Sequence, residues 1–217
     1  MKTALVFGSS GLIGGHLLSQ LIENDDYNKI KIFVRSEPEI NDPKVEIIKT
    51  DFNNLENHKE DIKGDDCFFC IGTTKQNSPD KNEYRRVELD VPKEIAQIAK
   101  SNSVNSFVFV SSGYADPKSS GDYLKFKGEV EEELKRLNFP KLGIMRPSFL
   151  LGDRKEKRIG EKIGIFVFKL LSPLFLGPLK KMKPIHSAIV AKAMIAITQN
   201  DSSKTIFESN EISEIIN

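Results

Sequence analysis

The sequence predicts a doubly wound α/β fold, in which a parallel sheet is covered by helices on both faces. Short apolar blocks alternate with longer segments of helical periodicity along most of the 217 residues. Most blocks are almost continuously apolar, as is typical of strands buried on both faces of a sheet. A glycine-rich turn joins the first block to the first helical pattern, where α/β proteins bind phosphate groups.

The predicted elements follow one another in a regular order. The six predicted strands are runs rich in β-branched and aromatic residues, at 3–7, 30–34, 45–48, 67–71, 107–110 and 142–145. The predicted helices lie in the intervals at 12–23, 84–101, 122–138 and 184–199, with a weaker pattern near 53–62. Strands joined through helices form right-handed crossovers, so the sheet is parallel. At roughly 150 residues per domain, the chain is predicted to be a single domain over 1–217.

The regular order of elements changes after residue 145, where we predict that 150–185 forms a small substrate or lid lobe. Residues 154–158 are all charged, and 163–179 are mostly apolar. This run is short for a membrane helix, and the lysine and two prolines inside it argue against one. A pocket wall is the preferred interpretation, and contact with a membrane surface or a partner stays open.

Composition and charge exclude several classes of function. Lys and Arg number 32 against 31 Asp and Glu, so the chain lacks the basic excess typical of nucleic-acid binding. Two cysteines cannot form a disulfide framework, and Cys67 and Cys70 lack the second pair of a zinc site. We therefore expect no nucleic acid, no metal and no membrane span. The first residues carry no secretory cleavage signal, so the expected location is the cytoplasm.

The glycine-rich turn after the first predicted strand is the predicted cofactor site. Its residues are Gly8, Ser9, Ser10, Gly11, Leu12, Ile13 and Gly14. Gly8 permits a tight turn, Gly11 lets the backbone approach a pyrophosphate, and Gly14 lets the helix pack closely on the strand. The spacing is GxxGxxG rather than GxGxxG. The position of the turn nevertheless predicts a dinucleotide site in a Rossmann-type domain.

The residue that follows the second predicted strand distinguishes NADP from NAD. NAD-binding domains place a carboxylate there, about 20 residues beyond the glycines, to bind the ribose 2′-hydroxyl. Here the residue is Arg35, 21 positions after Gly14. An arginine can pair with a 2′-phosphate that an acid would repel, so NADP, as NADPH, is favoured over NAD. A solvated arginine at a strand end stays the alternative.

Three polar residues near the end of the fifth predicted strand are candidates for catalysis. Ser112 follows this strand, and Tyr123 and Lys127 lie one turn apart on the same face of the next helix. A phenol is protonated at neutral pH and can serve as a general acid, with an adjacent ammonium to tune it. A serine hydroxyl at the carboxyl edge of the sheet can hydrogen-bond a reacting carbonyl oxygen.

With these features in order, the chain resembles the short-chain dehydrogenase/reductase superfamily in its extended or atypical branch. Within it, the chain is most similar to the Tat-interacting-protein oxidoreductases, and the resemblance extends from residue 1 to about 200. The motifs that carry this likeness are CIGTT at 70–74, YLKFKGEVE at 123–131, RP at 146–147, LLGDR at 150–154 and RIGE at 158–161.

The resemblance implies a role for each matching residue. Ser112 would orient the carbonyl, Tyr123 would donate a proton, and Lys127 would hold the nicotinamide ribose and tune the tyrosine. The implied cofactor contacts are Asp51 and Phe52 for the adenine, the loop Cys70, Ile71, Gly72 and Thr73, and Pro147 and Ser148 for the nicotinamide amide. The interval of 11 positions from Ser112 to Tyr123 is shorter than expected of sugar-nucleotide epimerases, which argues against epimerase chemistry.

These features together predict an NADP-dependent oxidoreductase that reduces or oxidises a small carbonyl or alcohol substrate. The alternative is a non-catalytic regulator that senses NADP and binds protein partners. The intact serine, tyrosine and lysine favour the enzyme, because a sensor needs no proton donor beside the nicotinamide. The expected partner is a small molecule, and a homodimer is left open.

Overall fold

The computed structural model describes residues 1–152, 183–200 and 202–216. The strands are β1 (Lys2–Phe7), β2 (Tyr27–Val34), β3 (Val45–Lys49), β4 (Asp66–Phe69), β5 (Ser106–Val110), β6 (Lys141–Arg146), β7 (Leu150–Leu151), β8 (Ile185–His186) and β9 (Ile206–Glu208). The helices are α1 (Leu12–Ile22), α2 (Lys81–Arg85), α3 (Val91–Ser101), α4 (Asp122–Leu137), α5 (Ser187–Gln199) and α6 (Ser209–Glu214).

Seven strands form one sheet in the order β3-β2-β1-β4-β5-β6-β9, and every pair is parallel. The chain builds outward from β1 to β3, then crosses to the other side of β1 and continues with β4. Such a reversal opens a crevice at the carboxyl ends of the two central strands, which is where open α/β sheets bind ligands. The predicted doubly wound α/β fold is confirmed.

The core lies on the two faces of this sheet. Helices α1 and α5 pack together on one face, where Leu17 and Met194 are fully buried. Helices α3 and α4 cover the other face with residues such as Ile95 and Leu134. This double cover explains why the strands are apolar on both sides.

A row of phenylalanines aligns the carboxyl ends of the central strands. Phe7 lies opposite Phe33 of β2 and Phe69 of β4, and Phe69 lies opposite Phe109 of β5. Ring centroids are 4.3 Å apart for Phe7 and Phe33, and 5.8 Å for Phe69 and Phe109. Cross-strand aromatic pairs of this kind stabilise the register, so the loops that follow these strands start at one level.

Several predicted elements differ in detail from the structure. The predicted helix at 84–101 is α2 and α3 joined by a π-helical segment, Arg86–Asp90. The weak helical pattern near 53–62 contains only a short 3₁₀ turn, Leu55–His58. Strand β9, which sequence analysis missed, extends the sheet beside β6 because its three residues pair with the end of that strand.

Most of the predicted lobe at 150–185 lies outside the described residues. Its two described ends meet in a small parallel pair, in which Leu150 lies opposite Ile185 and Leu151 opposite His186. The charged run at 154–158 and the apolar run at 163–179 are not among the described residues. Within the described ranges, no helix has the length and hydropathy to cross a membrane, and no group of three potential ligands gathers to hold a metal.

A buried polar cluster secures the opposite, amino-terminal edge of the sheet. The Tyr27 hydroxyl donates to Oδ2 of Asp66 at 2.7 Å, and it also lies 3.0 Å from Oγ1 of Thr198. Nζ of Lys2 lies 3.0 Å from the same carboxylate oxygen. Burial raises the pKa of the Tyr27 phenol above its ordinary value, and the negative charge of Asp66 raises it further.

We predict that Tyr27→Phe lowers the free energy of unfolding near neutral pH by about 1–3 kcal/mol, because Asp66 loses a buried donor. Above about pH 10, Tyr27 ionises in the unfolded wild type but stays protonated in the folded state, so the wild type loses stability that the variant keeps. The difference between the two proteins should therefore shrink at alkaline pH in urea titrations. A stability difference between the two proteins that stays constant with pH would contradict this prediction. Tyr114→Phe, which changes an exposed tyrosine, is the control.

Candidate active site

The turn between β1 and α1, called the glycine cradle below, requires glycine at two of its positions, Gly8 and Gly14. Gly8 has φ +90°, and a Cβ there would lie 2.8 Å from backbone atoms of Cys70 and Ile71. The Gly11 N–H donates to the Gly8 carbonyl at 3.0 Å, which closes the turn. A Cβ at Gly14 would lie only 2.0 Å from the same carbonyl oxygen, so α1 packs directly on the turn.

The N-terminus of α1 is suited to a phosphate group. Gly11 is its N-cap and provides no side chain to bond the first N–H groups, and the first turn carries no acidic residue. These N–H groups and the positive end of the helix dipole favour an anion. The glycine cradle and the uncapped helix therefore fit the pyrophosphate of a dinucleotide.

A cavity of about 590 Å³ opens in front of this turn, at the crevice between β1 and β4. Eleven of the predicted cofactor residues line it: Gly8, Ser9, Ser10, Gly11, Arg35, Asp51, Phe52, Cys70, Ile71, Gly72 and Thr73. Six other predicted residues, all described in the structure, lie outside the lining: Leu12, Ile13, Gly14, Lys127, Pro147 and Ser148. The structure thus brings together the residues predicted after four different strands.

One end of the cavity carries charged side chains of both signs. Arg35 is exposed just after β2, and Glu37 lines the same wall. Hydrogen bonds from the Asn53 backbone and side chain hold the pKa of the Asp51 carboxyl below its usual range. The wall therefore keeps a carboxylate at Asp51 beside the cavity.

Arg86 is a cavity residue that sequence analysis missed. Its Nη2 donates to the Phe52 carbonyl at 2.6 Å, and its guanidinium pairs with Glu94. Phe52 has φ +63°, a left-handed conformation that costs energy for a residue with a side chain. The bond from Arg86 stabilises this conformation and so shapes the cavity wall.

Lys127 is buried on α4, close to the cavity loop. Its Nζ lies 3.0 Å from Oε2 of Glu88, 3.4 Å from the Val110 carbonyl oxygen and 4.9 Å from the ring centroid of Phe109. Burial is the largest influence on the ammonium and lowers its pKa, but Glu88, Tyr123 and Glu131 together outweigh burial, so the pKa of Lys127 is raised. Lys127 is therefore a persistent cation at neutral pH.

Tyr123 lies in the first turn of the same helix and is partly open to solvent. It lies one turn before Lys127, whose Nζ is 6.0 Å from the centroid of the tyrosine ring, and 38% of the residue is exposed. A phenol in this position is accessible to a ligand while a cation stays beside its ring. The structure thus brings the predicted tyrosine and lysine together.

The two serines after β5 have different environments. The buried Ser111 donates to Oε1 of Glu131, which is held in turn by Nε of Arg146 at 2.9 Å. The partly exposed Ser112 donates to the Gly113 carbonyl at 3.3 Å, within its own turn. Ser111 therefore anchors the strand end internally, and Ser112 is the serine that is accessible at this edge.

The loop after β6 runs beside the loop after β5. The Gly113 N–H donates to the Pro147 carbonyl at 3.1 Å. Ser148 Oγ donates to the Lys183 carbonyl at 2.7 Å and lies 3.2 Å from Oγ of Ser209. Pro147 thus lies at the edge of the site, whereas the Ser148 hydroxyl joins two segments of the protein.

Comparison with known families identifies this arrangement. The model of a family described as NAD(P)H-binding matches residues 8–201. The chain belongs to the NAD(P)H-binding family. The NAD(P)-binding fold predicted from the glycine turn and the strand order is therefore confirmed.

Individual relatives of this chain give the same result. Protein HTATIP2 of Rattus norvegicus is 33% identical over 74% of this chain and 67% of its own length. Protein FMP52, mitochondrial, of Candida glabrata is 30% identical over 99% of this chain and 96% of its own. The predicted resemblance to atypical short-chain dehydrogenases/reductases and to the Tat-interacting proteins is confirmed.

A solved structure supports the fold. The UDP-glucose 4-epimerase of Thermotoga maritima, solved with UDP-glucose, has a TM-score of 0.72 at 14% identity, over 98% of this chain and 80% of the epimerase. At this identity the likeness concerns the fold alone.

The predicted cytoplasmic location is wrong. Relatives that match nearly the full length of this chain are named as mitochondrial proteins, among them those of Scheffersomyces stipitis and Candida glabrata. The prediction rested on the lack of a secretory cleavage signal. That observation concerns secretion only and does not distinguish the cytoplasm from the mitochondrion.

Proposed function

We propose that the protein is an NADP-dependent oxidoreductase of the short-chain dehydrogenase/reductase type, acting on a small carbonyl or alcohol. The observation that carries the proposal is the pairing of an accessible Tyr123 with a buried, charged Lys127, close to the cavity in front of the glycine cradle. A proton donor and a cation at the crevice are what carbonyl reduction requires from a protein.

Each residue of the site would have a separate task. Tyr123 would donate a proton to the carbonyl oxygen, while Ser112 donates a hydrogen bond to the same oxygen and orients it. Lys127 has three N–H donors, and among the described residues two oxygen atoms lie within 3.4 Å of it, so one donor remains for ribose hydroxyls. Bound NADPH would supply the hydride.

The glycine cradle and the charged wall would hold the cofactor. The first N–H groups of α1 would bind the pyrophosphate, and Arg35 would pair with the 2′-phosphate. Asp51 and Phe52, which line the cavity near Arg35, are suited to the adenine. The loop at 70–73 would lie against the nicotinamide half.

The alternative function is a regulator that senses NADP through the same cavity and binds a protein partner. Oxidation of NADPH by a panel of small aldehydes and ketones, followed by absorbance, separates the two functions. Turnover that requires the protein supports the enzyme. Tight NADPH binding without turnover across the panel favours the sensor.

Arg35→Ala tests the choice of cofactor. We expect the wild type to bind NADPH more tightly than NADH, and the variant to narrow that preference by about 10- to 150-fold, the equivalent of one charge-assisted hydrogen bond. Calorimetric titration of both proteins with both cofactors measures the change.

Glu37→Gln is the matched control, because Glu37 lines the same wall and would favour NAD by accepting from a 2′-hydroxyl. This variant should keep or increase the preference for NADPH. Equal affinities of the wild type for the two cofactors would contradict the NADP assignment.

A further inference from the structure

Glu88 is a buried carboxylate that contacts two parts of the candidate site at once. Its Oε1 accepts from the Thr73 backbone N–H, and its Oε2 lies 3.0 Å from Nζ of Lys127. Thr73 belongs to the loop at 70–73 that lines the cavity. A Cβ on Gly72 of the same loop would lie 3.5 Å from Oε1 of Glu88 and 4.0 Å from the lysine nitrogen. The loop therefore lies directly over the ion pair.

We propose that Glu88 is a positioning residue that fixes the Lys127 ammonium and the loop at 70–73 relative to each other. The inference rests on the proposed function, in which Lys127 donates to the nicotinamide ribose. Through Glu88, the nicotinamide half of the site is formed before the cofactor binds, which lowers the ordering cost of binding.

The position of Glu88 in its helix argues against a purely structural role. Tyr84, Val91 and Ile95 share the buried face with Glu88 and are apolar or aromatic. Removing a carboxylate from water costs several kcal/mol, and an apolar side chain of similar size often gives equal or greater stability. An acid at this position is therefore explained by its contacts with Thr73 and Lys127.

The backbone around Glu88 is also irregular. Arg86–Asp90 is a π-helical segment, with Glu88 at its centre. A π-helical turn widens the helix and changes the direction of its side chains, and such turns are frequent at functional sites. Here the irregular turn carries the carboxylate that contacts Lys127.

Several charged and titratable groups surround the Lys127 ammonium. Glu88 contacts it from the π-helical segment, Tyr123 and Glu131 face it from α4, and Cys70 faces it from the end of β4. Burial lowers the pKa of the lysine, and Glu88 is the largest opposing influence. Without the carboxylate, the buried amine should lose its proton at a lower pH.

Glu88→Gln tests the proposal by ligand binding. The glutamine amide replaces one carboxylate oxygen by an NH₂ donor and removes the charge, so it cannot keep both the Thr73 hydrogen bond and the ion pair with Lys127. We expect the affinity for NADPH to fall by about tenfold or more, the scale of one hydrogen bond to a charged group. The affinity for 2′,5′-ADP, which lacks the nicotinamide half, should be unchanged, and calorimetry measures both.

Two further variants provide rescue and control. Glu88→Asp keeps the charge and should recover part of the lost NADPH affinity. Glu133→Gln removes another buried carboxylate, which lies on the far part of α4 and bonds Gln97 of α3 and Arg136 of α4. It should leave the ratio of the two affinities as in the wild type. A general loss of stability would change the affinities for NADPH and 2′,5′-ADP alike.

A spectroscopic measurement tests the same contact without any ligand. In protein labelled with ¹³C-lysine, the Cε signal of Lys127, assigned by its absence in Lys127→Met, reports the charge of the amine. We expect it to titrate at a lower pH in Glu88→Gln than in the wild type, and to stay close to the wild type in Glu88→Asp. An unchanged titration in Glu88→Gln would overturn the proposal.

The outcomes separate this inference from the proposed function. In one outcome, Lys127→Met weakens the binding of NADPH but not of 2′,5′-ADP, whereas Glu88→Gln weakens the binding of neither ligand or of both equally. The lysine role then holds and the Glu88 proposal fails. If Lys127→Met leaves NADPH binding intact, the proposed lysine role fails and the inference falls with it. If Glu88→Gln does not fold, Glu88→Asp decides, since a shorter carboxylate that binds NADPH as tightly as Glu88 overturns the proposal.

Discussion

Tyr123→Phe should reduce turnover of a carbonyl substrate by about 10²–10⁴-fold, the usual scale of general acid catalysis. The change removes the phenolic oxygen and keeps the ring, which lies 6.0 Å from the Lys127 ammonium. NADPH affinity should stay within about twofold, because the ring still fills its place at the start of α4. Steady-state kinetics with the best substrate of an aldehyde and ketone panel, and calorimetry with NADPH, measure the two effects.

Tyr114→Phe is the matched control for this experiment. Tyr114 is another exposed tyrosine at the carboxyl edge of the sheet, on the loop after β5, but it has no lysine one turn away on a helix. Its turnover should be close to that of the wild type. Unchanged turnover in Tyr123→Phe would assign the proton step to another group and would remove the main support for the oxidoreductase.

Gly14→Ala should be strongly destabilising and should abolish tight cofactor binding. The added methyl carbon would lie 2.0 Å from the Gly8 carbonyl oxygen and 2.7 Å from its carbon. Both are backbone atoms, so the turn and α1 must separate. We expect the free energy of unfolding to fall by about 3 kcal/mol or more, the upper range for overpacking. Urea titration measures stability, and calorimetry measures NADPH binding.

The adjacent residue supplies a control that differs by one position. A Cβ on Gly15 would lie 3.7 Å from the Ser9 carbonyl oxygen, an ordinary contact. Because alanine is favoured over glycine in a helix by about 1 kcal/mol, Gly15→Ala should keep or raise stability and retain NADPH binding. If Gly14→Ala behaved like Gly15→Ala, the close packing of helix on turn would not be needed for the site.

Local patterns in the sequence were sufficient to predict the glycine cradle and the pairing of Tyr123 with Lys127 on α4. The three glycines of the cradle lie within one turn and the start of one helix, so their spacing alone indicates a phosphate-binding turn. Tyr123 and Lys127 share a helix face at a separation of four residues, which any α-helix brings together. Both features depend on contacts between residues that are close in the chain.

Glu88 shows why part of the site could not be predicted. The residue interrupts an otherwise apolar helical face, and this was the one signal in the sequence. Its partners Thr73 and Lys127 lie 15 and 39 positions away, on a different loop and a different helix. A buried acid without a visible partner does not reveal which cation or N–H group it meets.

The sequence by itself determined the fold class, the strand that precedes the glycine-rich turn and the candidate catalytic residues, because hydrophobic periodicity and glycine spacing act over a few residues. Only the tertiary structure decided which of these residues meet. The parallel order of the sheet brings four strand ends to one edge, where they surround one cavity. The same packing buries Glu88 against Lys127, since long-range contacts depend on how helices and loops pack, which periodicity does not encode.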